Sequence, residues 1–143
     1  MATARQKADR WINASALMAK LYQIGLLAEY GPIWVVGDFE TAFMKTRHGD
    51  LPANIGRQAE VLVPINHILL AGEALLKTFQ AFQERPNKVL GITLDRAMWM
   101  LWAEKIQEVA DIVDEVAPWD LKRRAQEAHD KMVVLFPEAL EEG

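Results

Sequence analysis

Two apolar rows of equal length and spacing lie close together in the last third of the sequence, and they constrain the fold most strongly. In each row the residues recur at steps of four, three, four and three, which places them on one face of an α-helix. Only a short segment around Pro118 separates the rows. The spacing therefore predicts two helices that pack antiparallel as an αα-hairpin over residues 93–136. The rows are Trp102, Ile106, Val109, Val113 and Val116, and Leu121, Ala125, Ala128, Met132 and Leu135.

The preceding residues also favour helices. Residues 4–30 have apolar positions at helical spacing on two adjacent rows, and Gly31 with Pro32 is expected to end this first helix. The segment 33–47 begins with strand-forming residues, but its later spacing favours a helix with Pro32 near the first position. After a loop over 48–56, a third helix is expected over 57–84, with a bend at 61–65 because Pro64 removes a backbone hydrogen bond.

These segments together predict an all-α fold, an irregular bundle of four to five helices. The alternative is an α+β fold, if short strands form near 33–37 and 89–94. A chain of 143 residues with 51% hydrophobic residues is sufficient for one domain with a substantial core. Pro137 is expected to end the last helix, so that residues 137–143 form a frayed acidic tail.

Composition excludes several classes of function. The formal net charge of −4 makes nucleic acid a poor partner, since phosphate binding requires a basic surface. The absence of cysteine rules out disulfides and thiol nucleophiles, and it suits a cytoplasmic protein. The most apolar stretch, residues 59–76, contains two glutamates, an asparagine and a histidine, so we expect a buried helix rather than a membrane span. Asn13 and Lys20 interrupt the apolar run that a signal peptide would need.

Four carboxylates follow one another at steps of four, three and four residues, which would stack them in a stripe on the fourth helix. Oxygen ligands in such a stripe could bind Mg²⁺, although a solvated acidic face explains the same pattern. The Glu-x-x-Asp sequence within the stripe resembles half of the metal site of MazG-type nucleotide pyrophosphatases. The other half in that family is a preceding Glu-x-x-Glu pair, and this chain has that sequence only at Glu138 to Glu141. The stripe is Glu104, Glu108, Asp111 and Glu115.

Five consecutive apolar residues at the start of the same helix present a different problem. Because neighbouring residues on a helix point about 100° apart, one neighbouring helix cannot cover all five. Either the rest of the bundle covers the remainder, or a partner protein or a second copy does. Tryptophan and methionine are enriched at the centres of protein interfaces. We therefore predict a partner-binding site at Met98, Trp99, Met100 and Trp102, within the run that includes Leu101.

The other tryptophans and the histidines are assigned structural roles. Trp11, Trp34 and Trp119 are expected to pack in the core or at the end of the hairpin. His67 follows Pro64 and is placed to bond a carbonyl that the proline leaves free. None of the histidines lies in a Glu-x-x-His pair, and Ser15, the sole serine, lies inside a helix without the sharp turn of a serine nucleophile.

Surplus apolar aromatic residues without a catalytic motif favour a non-enzymatic protein that binds and regulates or inhibits a larger protein. Its general composition resembles that of small acidic phage proteins that inhibit host machinery. A Mg²⁺-dependent nucleotide pyrophosphatase is the second hypothesis, and no other cofactor is indicated. A structural subunit that associates with itself is the third.

Overall fold

The computed structural model describes residues 2–27, 29–44 and 50–140. Of these residues, 77% are helical. A short antiparallel hairpin of β1 (Lys88–Val89) and β2 (Ile92–Thr93) joins the third and fourth helices. The predicted all-α class is confirmed, because the strands within these described ranges are limited to this hairpin and residues 33–37 are helical. The α-helices in the described ranges are α1 (Ala4–Gln23), α2 (Gly31–Phe39), α3 (Ile55–Glu84), α4 (Arg96–Ile112), α5 (Leu121–Leu135) and α6 (Pro137–Leu140). A π-helical segment (Glu40–Met44) follows α2, and a 3₁₀ turn (Pro118–Asp120) precedes α5.

The predicted C-terminal hairpin is present as α4 and α5. Near the turn, Lys122 donates to the carbonyl of Val113 at 3.2 Å, and further along the Gln107 and Gln126 amides bond each other at 3.1 Å. At the far end the indole of Trp99 donates to the carbonyl of Met132 at 3.2 Å. Residue numbers therefore rise along α5 as those of their partners fall along α4, so the two helices are antiparallel. Asp95 caps the first turn of α4 by accepting from the backbone of Met98.

Helix α3 lies at the centre of the bundle and packs against α1, α2 and α5. Its length and composition would allow it to cross a membrane, but 67% of its most apolar window is buried inside the protein. The buried helix predicted over 59–76 is therefore confirmed. Pro64 lies inside α3, yet the non-helical backbone is at Ala71, with φ −138° and ψ 20°. The bend predicted at 61–65 is consequently wrong in position.

Side chains from two neighbouring helices stabilise the irregular turn at Ala71. On one side, the backbone N–H of Ala74 donates to the Gln23 carboxamide of α1 at 3.1 Å. On the other side, the ammonium of Lys131 on α5 donates to the carbonyl of Leu69 at 2.9 Å. Backbone groups on both sides of the kink thereby gain partners, which a buried helix requires. Burial raises the pKa of Tyr22, whose hydroxyl donates to the Ala74 carbonyl in the same region.

The two ends of the chain differ from the prediction. Helix α1 ends at Gln23 rather than near residue 30, because Gly25 adopts a left-handed conformation with φ +88° that stops the helix. The buried row of α1 contains Ile12 and Ala19, and Trp11 lies beside it, partly exposed. At the other end, residues 137–140 of the predicted tail form the short helix α6, with Ala139 buried. Residues 141–143 lie outside the described residues.

Two glycines of α2 provide a paired test of this packing. A Cβ added at Gly31 would lie 2.5 Å from the Tyr22 ring, whereas one added at Gly37 would lie 3.5 Å from Leu90, an ordinary contact. We expect Gly31→Ala to destabilise the protein by about 1–3 kcal/mol through overpacking. Gly37→Ala should be neutral or stabilising by up to about 1 kcal/mol, because alanine favours the helix. Denaturant unfolding measures both values, and equal effects would contradict the close packing of α1 on α2.

Candidate functional site

The structure places Trp99 and Trp102 in the core, each with 0% of its surface exposed. Trp102 stacks on Phe39 of α2 with ring centroids 4.0 Å apart, and Phe79 of α3 meets its edge at 5.5 Å. Trp99 meets Phe79 at 5.0 Å and Phe136 at 5.7 Å. In this conformation neither indole is available to a partner, so the prediction that they form a binding site is wrong for these two residues.

The prediction failed because helix α4 has several neighbours. Helices α5 and α6 pack along it, while α2 and α3 contribute aromatic rings to its first turns. Of the predicted partner-binding residues, Met100 is exposed and Met98 is half-buried. Two separated methionines leave little apolar surface there. The other large exposed apolar side chains therefore lie outside the first turns of α4.

The predicted acidic stripe is not continuous. Glu104, Glu108 and Asp111 lie on exposed positions of α4, but the helix ends at Ile112 and Glu115 belongs to the following turn. Lys105 pairs with Glu108 at 3.7 Å, and Gln107 donates to Asp111 at 2.9 Å. Across residues 2–27, 29–44 and 50–140, no three carboxylate, imidazole or thiol side chains come together in a group that could hold a metal ion.

Four exposed apolar side chains lie on α2, on the residue before it and on the adjoining β-hairpin. We call this group the α2 surface, and it comprises Tyr30, Ile33, Trp34 and Leu90, which are 61%, 44%, 42% and 53% exposed. The rings of Tyr30 and Trp34 are 6.5 Å apart, and Ile33 lines the same groove as Leu90. Helix α2 produces this surface because its opposite face buries Val35, Val36 and Phe39. Ile24 and Leu26, in the segment before α2, are also strongly exposed.

Two concavities flank this surface. On one side, a groove of about 460 Å³ runs between α2, the end of α3 and the β-hairpin, with Ile33, Phe82 and Leu90 among its walls and Glu29 and Lys88 at its rim. On the other side, a pocket of about 290 Å³ lies where α1, α2 and α3 meet.

The smaller pocket contains a histidine and carboxylate pair. His67 of α3 is 2% exposed, and its Nε2 lies 2.7 Å from Oδ2 of Asp38 on α2. Its Nδ1 is buried without a hydrogen-bond partner among the described residues. His67 therefore bonds Asp38 and not the backbone carbonyl that the sequence suggested. The walls of the pocket are Ala14, Ser15, Met18 and Trp34.

Several other predicted roles can be placed in the structure. Trp119 packs at the end of the hairpin as predicted, with its indole donating to Asp9 at 2.7 Å and the guanidinium of Arg5 over its ring. Trp11 and Trp34 are 38% and 42% exposed, so their assignment to the core is wrong. His129 lies beside Asp130 at 3.2 Å, and His48 lies outside the described residues.

Comparisons with known proteins add no family to these observations. No family model, no curated protein and no solved structure matches this chain.

The α2 surface and its pocket were missed by sequence reasoning. The available signal was the four-residue spacing of Trp34 and Asp38, which places both on one side of α2.

The positions of Trp102 and Trp34 in the structure predict unequal losses of folding stability when each is truncated to alanine. Trp102→Ala should destabilise the protein by about 3–5 kcal/mol, because it opens a large cavity among aromatic rings. Trp34→Ala should cost about 1 kcal/mol, since much of this side chain already contacts solvent. Urea unfolding of both variants measures the difference. A larger cost for Trp34→Ala than for Trp102→Ala would contradict the structure.

Proposed function

We propose that this protein is a non-enzymatic binding protein that regulates or inhibits a larger protein by docking on it through the α2 surface. The observation that carries the proposal is the grouping of four large, exposed apolar side chains in two pairs: the rings of Tyr30 and Trp34 lie 6.5 Å apart, and Ile33 and Leu90 line one groove. Exposed apolar clusters of this kind on soluble domains mark interaction sites more often than isolated residues do. An aromatic pair at the centre is the composition that binding hot spots favour.

The flanking concavities support a protein partner with its own apolar side chains. The groove beside Ile33 and Leu90 is large enough for one or two side chains, and its polar rim would exclude water from the apolar contact. The net charge of −4 indicates that the partner presents a neutral or basic surface around that contact. Regulation or inhibition follows if the docked domain covers a surface that the partner uses for another contact.

A double variant tests the proposal without touching the pocket at Asp38. Ile33→Asp places a charge on the α2 surface, and Leu90→Asn removes the apolar side chain at a residue with φ 52°, a conformation that asparagine tolerates well. We expect the unmodified protein, used as bait in native cell extract, to retain a specific protein that the double variant loses at least tenfold. The thermal unfolding midpoint should change little.

Val134→Asp is the matched control, because Val134 is 78% exposed on α5, away from the α2 surface. The control should retain the same protein as the unmodified bait. Loss of the retained protein from Val134→Asp with retention by the double variant would contradict the proposal. Sedimentation velocity of the purified chain covers the remaining possibility: a dimer that the double variant dissociates would show that the α2 surface pairs with its own copy and not with a larger partner.

A further inference from the structure

We infer that the pocket between α1, α2 and α3 binds an organic cation, an alkylammonium or guanidinium group, with Asp38 as the counter-ion and Trp34 as an aromatic wall. This inference holds whether or not the α2 surface docks on a protein. It depends on the placement of Asp38, His67 and Trp34, and on the chemistry of the walls between them.

The walls of the pocket combine one charged group with apolar and aromatic surface. Trp34 and Asp38 are four residues apart on α2, so their side chains project from the same side of the helix. Ala14, Ser15 and Met18 of α1 form the facing wall. A volume of about 290 Å³ accommodates a group of a few non-hydrogen atoms, such as the end of a lysine or arginine side chain or a small amine.

The imidazole of His67 holds the carboxylate of Asp38 from one side. Its Nε2 lies 2.7 Å from Oδ2 of Asp38, and its Nδ1 is buried without a hydrogen-bond partner among the described residues. A buried polar group is normally hydrogen-bonded, so the imidazole cannot move far from the pocket without losing the contact with Asp38. The pair therefore presents the Asp38 carboxylate to the pocket in one orientation.

Asp38 lacks a basic partner within the described part of the chain. Its side-chain contact there is the hydrogen bond with His67, and no lysine or arginine of those residues pairs with it. The Asp38 side chain is 29% exposed, so a ligand can reach the carboxylate from the pocket. The buried imidazole of His67 fixes the orientation of this carboxylate by bonding one oxygen, and the other oxygen remains for a ligand.

The walls favour an organic cation over a metal ion. Divalent cations such as Mg²⁺ and Ca²⁺ require several oxygen ligands, whereas this pocket offers one carboxylate and the Ser15 hydroxyl. The face of an indole attracts ammonium and guanidinium groups, and the Met18 thioether packs against alkyl chains. One carboxylate beside one indole is therefore a suitable site for a cationic group that carries an apolar stem.

A titration with matched small probes tests the inference. We would follow the indole N–H signals of the five tryptophans by NMR, assigning that of Trp34 from its loss in Trp34→Phe. n-Butylammonium should cause a saturable shift of the Trp34 signal and leave those of Trp99 and Trp102 unchanged. 1-Butanol, which has the same alkyl chain without the charge, should bind at least tenfold more weakly. Equal affinity for the two probes would overturn the inference.

Substitutions then locate the site. Asp38→Asn should weaken n-butylammonium binding at least tenfold, because it removes the counter-charge while keeping the side-chain shape. Trp34→Leu keeps the Asp38 and His67 pair intact and should weaken binding severalfold through loss of the aromatic face. Glu104→Gln, an exposed carboxylate on α4, is the control and should bind as the unmodified protein does. Unchanged binding by a folded Asp38→Asn variant would overturn the inference.

A second comparison distinguishes two sources of the cation, a side chain of a protein partner and a free amine. If Asp38→Asn loses both n-butylammonium binding and the protein retained from cell extract, the pocket receives a lysine or arginine side chain of that partner. If it loses only n-butylammonium binding, the pocket serves a free amine. Both results support the site, and each is separate from the test with the double variant at Ile33 and Leu90, which reports on the α2 surface alone.

Discussion

The stack of Phe39 on Trp102 is the contact on which the rest of the structure depends. The two rings are nearly parallel, with an interplanar angle of 8°, and Phe79 closes the cluster from the side with a perpendicular ring. Three helices, α2, α3 and α4, thereby meet at one point. Aromatic contacts of this kind add about 0.5–1.5 kcal/mol each beyond the burial of their area. They also fix orientation, because offset and edge contacts allow few alternative arrangements.

Burial of Phe39 determines what α2 presents to solvent. Because residues three and four apart share a face, Val35, Val36 and Phe39 turn inward together, and Ile33 and Trp34 are left on the exposed side. Asp38 lies next to Phe39 at the edge of the buried face, where it reaches His67 of α3. The exposed α2 surface and the acidic pocket are thus consequences of one packing contact in the core.

The C-terminal hairpin could be predicted from sequence because its information is local. Two apolar rows with the same spacing and a short connection leave one economical arrangement, and the structure has it as α4 and α5. The first row is shorter than predicted, because α4 ends at Ile112 and Val116 is 86% exposed beyond it. The end of α1 at Gln23 was missed because Gly25 sits within an apolar stretch that otherwise continues the helical spacing. The bend at Ala71 was missed for a different reason: its backbone groups are bonded by Gln23 and Lys131, which lie far from it in sequence.

The candidate site was the least predictable part of the molecule. Helical spacing correctly showed that five apolar residues beginning at Met98 need several neighbours, but it could not show that α2, α3 and Phe136 supply them. The same limitation hid Trp34, whose exposure depends on where Phe39 docks. His67 and Asp38 are 29 residues apart, and no local pattern links them. Side-chain exposure and long-range pairing are properties of the assembled fold. They can be determined only once the relative positions of the helices are known.

We place the proposed interaction surface on α2 and not on α4. Photo-crosslinking tests this placement most directly, with a benzophenone amino acid placed at Trp34 in one variant and at Met100 in another, each irradiated in native cell extract. We predict a discrete crosslinked protein from position 34 and none from position 100. A discrete adduct from position 100 alone would contradict this account.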